Sequence, residues 1–363
     1  MTRELIISLD AMGGDHAPEI VIEGASIARE RVPGLKFVVF GDETRIVPLI
    51  TRFPILKDCC EVFHTDKVIS ADDKPSQAMR RGRDSSMGQS IQAVKDGKAS
   101  AAVLAGNTGA QMALAKIILR TMPGIDRPAL ASLIPTSRGE SVMLDLGANV
   151  ECDENNLVQF AIMGAAFART VLGVVKPTVA ILNVGVEELK GSDVIKNADK
   201  MLREANIPMD YKGFTEGHGL GSGEVDVVVT DGFTGNIALK TAEGTAKMIA
   251  NLLKRSLNES LMSKVGMLFA SSSLLALKNH LDPNNHNGAV FMGLNGLVIK
   301  SHGGASSTGF AAAIGVAVDM AENDLAGKIT RDLTNFNSTI EDDDADENED
   351  NKTVIEMNIK EQK

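Results

Sequence analysis

The chain has no tryptophan, one tyrosine and three cysteines among 363 residues. Cys59, Cys60 and Cys152 form no C-x-x-C pair and no spaced ligand set, which excludes a disulfide scaffold and a structural zinc site. A reducing cytoplasm is the compartment that fits, and no metal is expected. The amino-terminal MTRELIISLDAMGG has too short an apolar run for a signal-peptide core, so no export is expected. The uncharged run from Val265 to Leu277 is thirteen residues, short of the roughly 20 that a spanning helix needs. Also missing are the Walker pattern G-x-x-x-x-G-K-[ST], a strand-linked G-x-G-x-x-G and the G-x-S-x-G elbow. These absences argue against a P-loop enzyme, a dinucleotide enzyme and a serine hydrolase, and no cofactor is expected.

Excess basic charge is missing too. The net charge is −11, but Glu341 to Asp350 (EDDDADENED) supplies eight acids and no base, so the rest carries −3. A body so near neutrality is no nucleic-acid binder, because neutralising phosphates takes clustered Lys and Arg. The acidic stretch reads as a solubilising tail, with disorder expected over 338–363 and the catalytic body over 1–330.

Glycine is plentiful, at 34 residues, as suits a chain with many tight turns. Short Ile- and Val-rich runs lie at Leu5–Leu9, Phe37–Phe40, Ala101–Leu104, Val142–Leu144, Val179–Leu182 and Val225–Val229. Each ends in a polar, glycine-bearing turn and gives way to helical periodicity, the pattern of repeated βα units on a mainly parallel sheet. Ligands of open α/β sheets bind beyond the carboxyl ends of the strands, so these turns are expected to gather around the site.

The turns carry the candidate chemistry. In AGNTG, the residues Gly106, Asn107, Thr108 and Gly109 stand between a strand and a helix, where backbone N–H groups and the Thr108 hydroxyl can meet an anion. TDGFTGN (Asp231, Thr234, Asn236) and GGASSTG repeat that context, and three such turns on one crevice would suit a phosphate-bearing ligand. DAMGGDHAP adds Asp10, Gly13, Gly14 and Asp15, with His16 read as solvent-facing; DLGANVECD adds Asp145 and Asn149, and NVGVEELKG adds Asn183 and Lys190. Arg83 lies in RRGRDSSM, where Ser85 or Ser86 can cap the following helix through Val94, and is a fit anion clamp. Lys300 and His302 are two apart, so on extended chain they share a direction. Asp153 or Glu154 is expected to open one helix and Asn236 to cap another. Cys152 reads as a small packed residue at a helix start rather than a nucleophile.

From Leu252 to Lys278 apolar residues recur at helical spacing: Leu253, Leu257, Leu261, Val265 and then Leu268 or Phe269. This pattern suits a hairpin packed on the domain, a dimerisation arm, or a tip dipping into a membrane interface. Packing, on the domain or in a dimer, is the plainer reading.

Several of these segments occur in order: LDAMGGDHAP, RRGRDSSM, AGNTGAQMALAK, RPALA, LDLGANVECDENNLVQFAIMG, VTDGFTGNIALKTAEG and NGAVFMGLNGLVIKSHGGA. The set resembles the PlsX-type phosphate acyltransferases of bacterial phospholipid synthesis. The resemblance implies a three-layer αβα sandwich like that of phosphate acetyltransferases and isocitrate dehydrogenases, with a projecting helical arm at about 240–285. It implies transfer of a long-chain acyl group from acyl carrier protein to inorganic phosphate, giving an acyl phosphate for a separate membrane acyltransferase acting on glycerol 3-phosphate. A homodimer, a cytoplasmic location and peripheral contact with the inner face of the membrane through Leu252–Lys278 follow from the same likeness. On it, Asn107, Thr108, Lys190, Lys300 and His302 are the catalytic candidates, and the other turn residues named above hold substrate. The sequence departs from the family at Gly185-Val186-Glu187-Glu188, usually Gly-Glu-Glu-Glu, and at His286-Asn287-Gly288, usually Tyr-Asn-Gly. Competing readings are a short-chain phosphate acyltransferase using coenzyme A, a β-decarboxylating dehydrogenase of related fold, and a non-catalytic scaffold that binds acyl carrier protein.

Overall fold

The computed structural model describes residues 5–70, 73, 79–260, 262, 269–275, 282 and 284–336. The acidic tail and much of the expected arm beyond residue 260 lie outside them. Eleven strands form one sheet in the order β3-β2-β1-β4-β11-β10-β5-β6-β9-β7-β8. The six strands expected from sequence correspond to β1 (Ile6–Asp10), β2 (Lys36–Gly41), β4 (Ala101–Ala105), β6 (Gly139–Leu144), β7 (Thr178–Leu182) and β9 (Val227–Val229). Five more join them: β3 (Cys60–His64), β5 (Ala129–Thr136), β8 (Asp210–Thr215), β10 (Ala289–Met292) and β11 (Leu297–Ser301).

The central strands are apolar at every position because both faces are covered. In β4, Ala101, Val103 and Ala105 enter one core while Ala102 and Leu104 enter the other, as the two-residue alternation of a strand requires. The first core is roofed by α1 (Glu19–Arg31), by a helix over Glu154–Val171, and by one over Ser307–Glu322. The second is roofed by helices over Ser86–Lys95 and Thr108–Leu119. In chain order the helices are α1, α2 (Glu43–Thr51), α3 (Ser86–Lys95), α4 (Thr108–Leu119), α5 (Glu154–Val171), α6 (Asp193–Glu204), α7 (Gly219–Ser222), α8 (Gly232–Asn258) and α9 (Ser307–Glu322). The result is the expected αβα sandwich.

Strand direction brings the main correction. β1, β2, β3, β4 and β11 are mutually parallel, as are β6, β9, β7 and β8. Between the two sets, the pairings β11 with β10, β10 with β5, and β5 with β6 are all antiparallel. Three reversals invert the second set, so its carboxyl ends emerge at the opposite edge of the sheet from those of β1, β4 and β11. The glycine turns therefore form two clusters, not one crevice.

α8 links the edges. It starts beyond the carboxyl end of β9 and runs for 27 residues, of which only Gly232 and Gly235 are buried. Its cap is Asp231, whose carboxylate takes the Thr234 N–H at 2.8 Å, so Asn236 is not the cap that the sequence suggested. An acid three residues ahead of Thr234 reaches that N–H, whereas Asn236 already lies inside the first turns. Asp153 caps α5 and Ser85 caps α3, as expected.

Candidate active site

At the first edge, the ends of the neighbouring strands β1, β4 and β11 bring three glycine turns into contact. The Asp15 N–H donates to the Gly303 carbonyl at 2.9 Å. A side chain on Gly13 would place its Cβ 2.3 Å from the Ala105 carbonyl oxygen, and one on Gly14, at φ +98°, would sit 3.1 Å from the Gly303 oxygen. Gly106, at φ +105°, has the Gly14 nitrogen 3.4 Å from where its Cβ would be. Only glycine permits this approach of backbone to backbone.

Several donors in these turns are already used. Asp10 is fully buried and accepts from the Met12 N–H at 3.1 Å; burial pushes its carboxyl up to about 6, with nearby Ser86 and the Met12 and Gly13 backbone opposing the rise. The Gly304 N–H donates to Nδ1 of His302 at 3.1 Å. The Asn107 amide is engaged as well: Oδ1 caps α4 by accepting from Ala110 N–H at 3.0 Å, and Nδ2 donates to the Asp73 carbonyl at 2.9 Å. Asn107 thus shapes the turn. The Thr108 and Gly109 N–H groups precede the first intrahelical acceptors of α4. They and those of Gly14 and Gly303 make none of the described hydrogen bonds.

Two cationic or titratable groups stand at the carboxyl end of β11, the strand next to β4. Lys300 is half-buried, and that burial, followed by the nearby charge of Lys240, holds its pKa below the usual lysine range, while Glu243 works the other way. Among the described residues it has no ion-pair partner. His302 is held below the ordinary imidazole range by partial burial, then by Lys300 and Lys240. Because Nδ1 accepts from a backbone N–H, the neutral ring must carry its proton on Nε2 and present a donor. Sequence reasoning missed what holds the His302 backbone: buried Asn287 accepts the His302 main-chain N–H at 2.9 Å and donates to Ser301 Oγ and the Gly309 carbonyl, each at 2.8 Å. The departure at His286 sits beside it, with Nδ1 2.6 Å from Glu140 Oε1.

Arg83 is exposed on a short 3-10 turn, Gly82–Asp84, that packs on α4 through Gly82, whose Cβ position lies 2.9 Å from Leu114. Buried Ser85 caps α3 and donates to the Gly82 carbonyl at 2.6 Å, so its hydroxyl serves the fold. Asp15 and His16 are exposed.

The second edge collects Asp145, Asn149, Asn183, Lys190, Asp231, Thr234 and Asn236. Most are spent on structure: Asp145 and Asn149 bond each other and nearby backbone, Asp231 and Thr234 cap α8, and Asn183 ties the Lys190 carbonyl at 3.1 Å. Lys190 and Asn236 are exposed. Lys190 cannot share a ligand with Thr108 inside one chain, since six strand spacings separate β4 from β7, about 29 Å along the sheet, and their ends point opposite ways. A cavity of about 280 Å³ opens at this edge, lined by Cys152, Ile181, Ser192, Ile195, Asp231 and Phe233 among others. Burial, with Asp145 and Asp231 nearby, pushes the Cys152 thiol up to about 12, far from a thiolate nucleophile.

The family described as "Fatty acid synthesis protein" matches residues 5–328. A phosphate acyltransferase of Parvibaculum lavamentivorans is 58% identical over 334 residues, 92% of either chain. One from Rhodospirillum centenum is 53% identical over 341 residues, 94% of this chain and 96% of its own. This chain belongs to the PlsX-type phosphate acyltransferase family. It is therefore an acyltransferase of lipid synthesis. Among solved structures, EutD phosphotransacetylase from Staphylococcus aureus matches with a TM-score of 0.57 at 17% identity, over 88% of this chain and 94% of that one. A phosphotransacetylase from Streptococcus pyogenes gives 0.58 at 16%, over 89% and 95%. At such identities the likeness speaks for the fold alone. It agrees with the sandwich built up above from the phosphate acyltransferase sequence.

Proposed function

We propose that the chain transfers a long-chain acyl group from acyl carrier protein to inorganic phosphate at the β1, β4 and β11 edge. The observation that carries this reading is the set of backbone N–H groups there that make none of the described hydrogen bonds, beside the Thr108 hydroxyl, the Lys300 ammonium and the His302 Nε2–H, with no cysteine thiol in those turns. Phosphate is held by the Thr108 and Gly109 N–H groups at the start of α4 and by Lys300. One of its oxygens attacks the thioester carbonyl, and the C–O bond forms as the carbonyl π pair moves onto oxygen. The Gly14 and Gly303 N–H groups stabilise that oxyanion; the Gly304 N–H cannot, because it serves His302. Collapse breaks the C–S bond and releases the carrier's thiolate. His302 hydrogen-bonds the departing sulfur through Nε2–H and keeps its own proton; the released thiolate takes a separate proton from water, and a thiol of pKa about 8.5 needs no stronger acid. Holding the two reactants together supplies much of the rate.

Phosphate-dependent release of thiol from acyl carrier protein and from acyl-coenzyme A, measured side by side, tests the donor. Faster turnover with the carrier supports the reading; turnover with coenzyme A alone overturns it in favour of the short-chain reaction. Cys152→Ala is expected to keep wild-type kcat within about twofold, since a thiol with so high a pKa forms no acyl-enzyme. Mass spectrometry that trapped an acyl group on Cys152 would sink direct displacement.

The arm extends the same proposal. α8 exposes Ile237, Met248, Ile249, Leu252 and Leu253 along one projecting helix, and Met262, Phe269 and Leu275 beyond it are exposed too. Isolated apolar residues on a surface are ordinary, but so many on one helix without a core beneath mark an interaction surface. A second copy of the chain and a membrane surface are its proposed partners. No helix among the described residues is long and apolar enough to cross a membrane.

A further inference from the structure

The segment Asn284-Asn285-His286-Asn287 lies just ahead of β10 and grips the glycine turn after β11 at both ends. At the near end, Asn287 Oδ1 accepts the His302 N–H at 2.9 Å, while Nδ2 fastens Asn287 to Ser301 Oγ and the Gly309 carbonyl. At the far end, Asn284 Oδ1 accepts the N–H and the hydroxyl of Ser306, each at 3.0 Å. Its Nδ2 donates to Asp282 Oδ1 at 2.9 Å, which fixes the amide the right way round. The grip is close: a Cβ on Gly309 would stand 2.5 Å from Asn284 Oδ1. Between the two asparagines, His286 reaches Glu140 of β6, so the segment is itself held on the sheet. The tip of the turn is tied to the turn after β1, where the Gly303 carbonyl accepts the Asp15 N–H at 2.9 Å. Two adjacent glycines, Gly303 and Gly304, would otherwise leave this stretch much conformational freedom.

We infer that Asn284 and Asn287 are positioning residues for the transfer reaction, holding the His302–Ser306 turn at both ends so that the Gly303 N–H stays where the oxyanion forms. The inference rests on the phosphate-transfer reading of this edge. A backbone donor lowers the barrier only if it is in place before charge develops, since reorganising it during the reaction would consume the gain. Neither asparagine touches substrate; each acts through the turn. Phosphate is held elsewhere, by the start of α4 and by Lys300, so loosening the turn should leave its binding alone. The loss should fall on the chemical step, where the oxyanion exists.

Steady-state kinetics of Asn287→Ala, Asn284→Ala and a control, Ser301→Ala, should be paired with calorimetric titration of inorganic phosphate and with amide hydrogen exchange over residues 300–306. Ser301 is fully buried on β11 and bonds Asn287, so the control disturbs the same network but spares both ends of the turn. The expected result is a kcat lowered about 30-fold in Asn287→Ala and about fivefold in Asn284→Ala, because a displaced donor loses part of what its removal would cost. The phosphate KM and Kd and the acyl-donor KM should stay within about twofold, as for an interaction made only in the transition state. Exchange over 300–306 should quicken in both asparagine variants, and Ser301→Ala should keep the wild-type kcat. Should Asn287→Ala fail to fold, the half-buried Asn284 carries the same test alone. Wild-type kcat in a variant whose turn exchanges faster, or a loss spread equally over kcat and both KM values, would overturn the positioning role. Wild-type protein that formed no acyl phosphate, while exchange still quickened in the variants, would sink the transfer reading and leave the grip on the turn standing.

Discussion

Lys300→Met is expected to lower kcat/KM for phosphate by about 100-fold, the upper range for one charge-assisted hydrogen bond in a partly closed site, while leaving the acyl-donor KM within about twofold. Lys300 sits on β11 in register with Leu104 of β4, so its backbone is fixed by ladders on both sides and substitution leaves the strand in place. The pH profile supplies an independent check. Phosphate binding needs the protonated amine, and burial and Lys240 hold its pKa down. As pH rises through that lowered value, the cation and the phosphate affinity are lost together, so the alkaline limb should fall below the ordinary lysine value of about 10.4. Lys300→Arg, always charged, should recover part of the activity and remove that limb. An unchanged limb in the residual activity of Lys300→Met would take Lys300 out of the phosphate site.

What the sequence concealed was direction. The six legible strands are those whose apolar runs end in a glycine turn, and each was placed within two residues at either end except β6, which starts earlier, at Gly139. The missed β3 and β8 carry mixed sequences, CEVFH and DYKGFT, because edge strands have a face or a side in water. The missed β5 and β10 matter more. They supply the three antiparallel pairings that turn the second half of the sheet over. Without them every turn seemed bound for one crevice. β10 and β11 lie inside NGAVFMGLNGLVIKSHGGA, a segment legible as a motif but not as a hairpin. Side-chain commitments were hidden for a similar reason: that Asn107, Asp145 and Asp231 spend their polar atoms on nearby backbone depends on turn geometry, which residue type alone does not reveal.

The largest loss of stability is expected at Asp145, on the edge away from the proposed phosphate site. Its Oδ1 accepts from the N–H groups of Leu130 at 3.0 Å and Ala148 at 2.9 Å, and its Oδ2 from Asn149 N–H at 2.7 Å and Asn149 Nδ2 at 2.9 Å. Burial outweighs these donors and holds the carboxyl above the usual carboxylate range, so part of what the bonds contribute only offsets desolvation. Asp145→Ala strands several buried donors, and a net loss of about 3–4 kcal/mol is expected in denaturant unfolding, below the sum of the individual bonds. Asp145→Asn sharpens the test because it keeps the shape. Whichever way the amide is placed, its NH₂ meets two N–H donors, so this near-isosteric change should cost about 2 kcal/mol or more. The damage should also travel. The turn after Asp145 presents the Asn149 carbonyl to Gly232 N–H at 2.7 Å, and the Asp145 carbonyl oxygen lies 2.0 Å from where a Cβ on Gly235 would be, so the start of α8 is seated on it. Loosening that seat shifts α8, whose Lys240 charge acts on Lys300 and His302, and the phosphate KM of folded Asp145→Asn should rise while the acyl-donor KM holds. A variant of wild-type stability would show that the donors around Asp145 find other acceptors, and one destabilised with an unchanged phosphate KM would show that α8 is held at the first edge by contacts of its own.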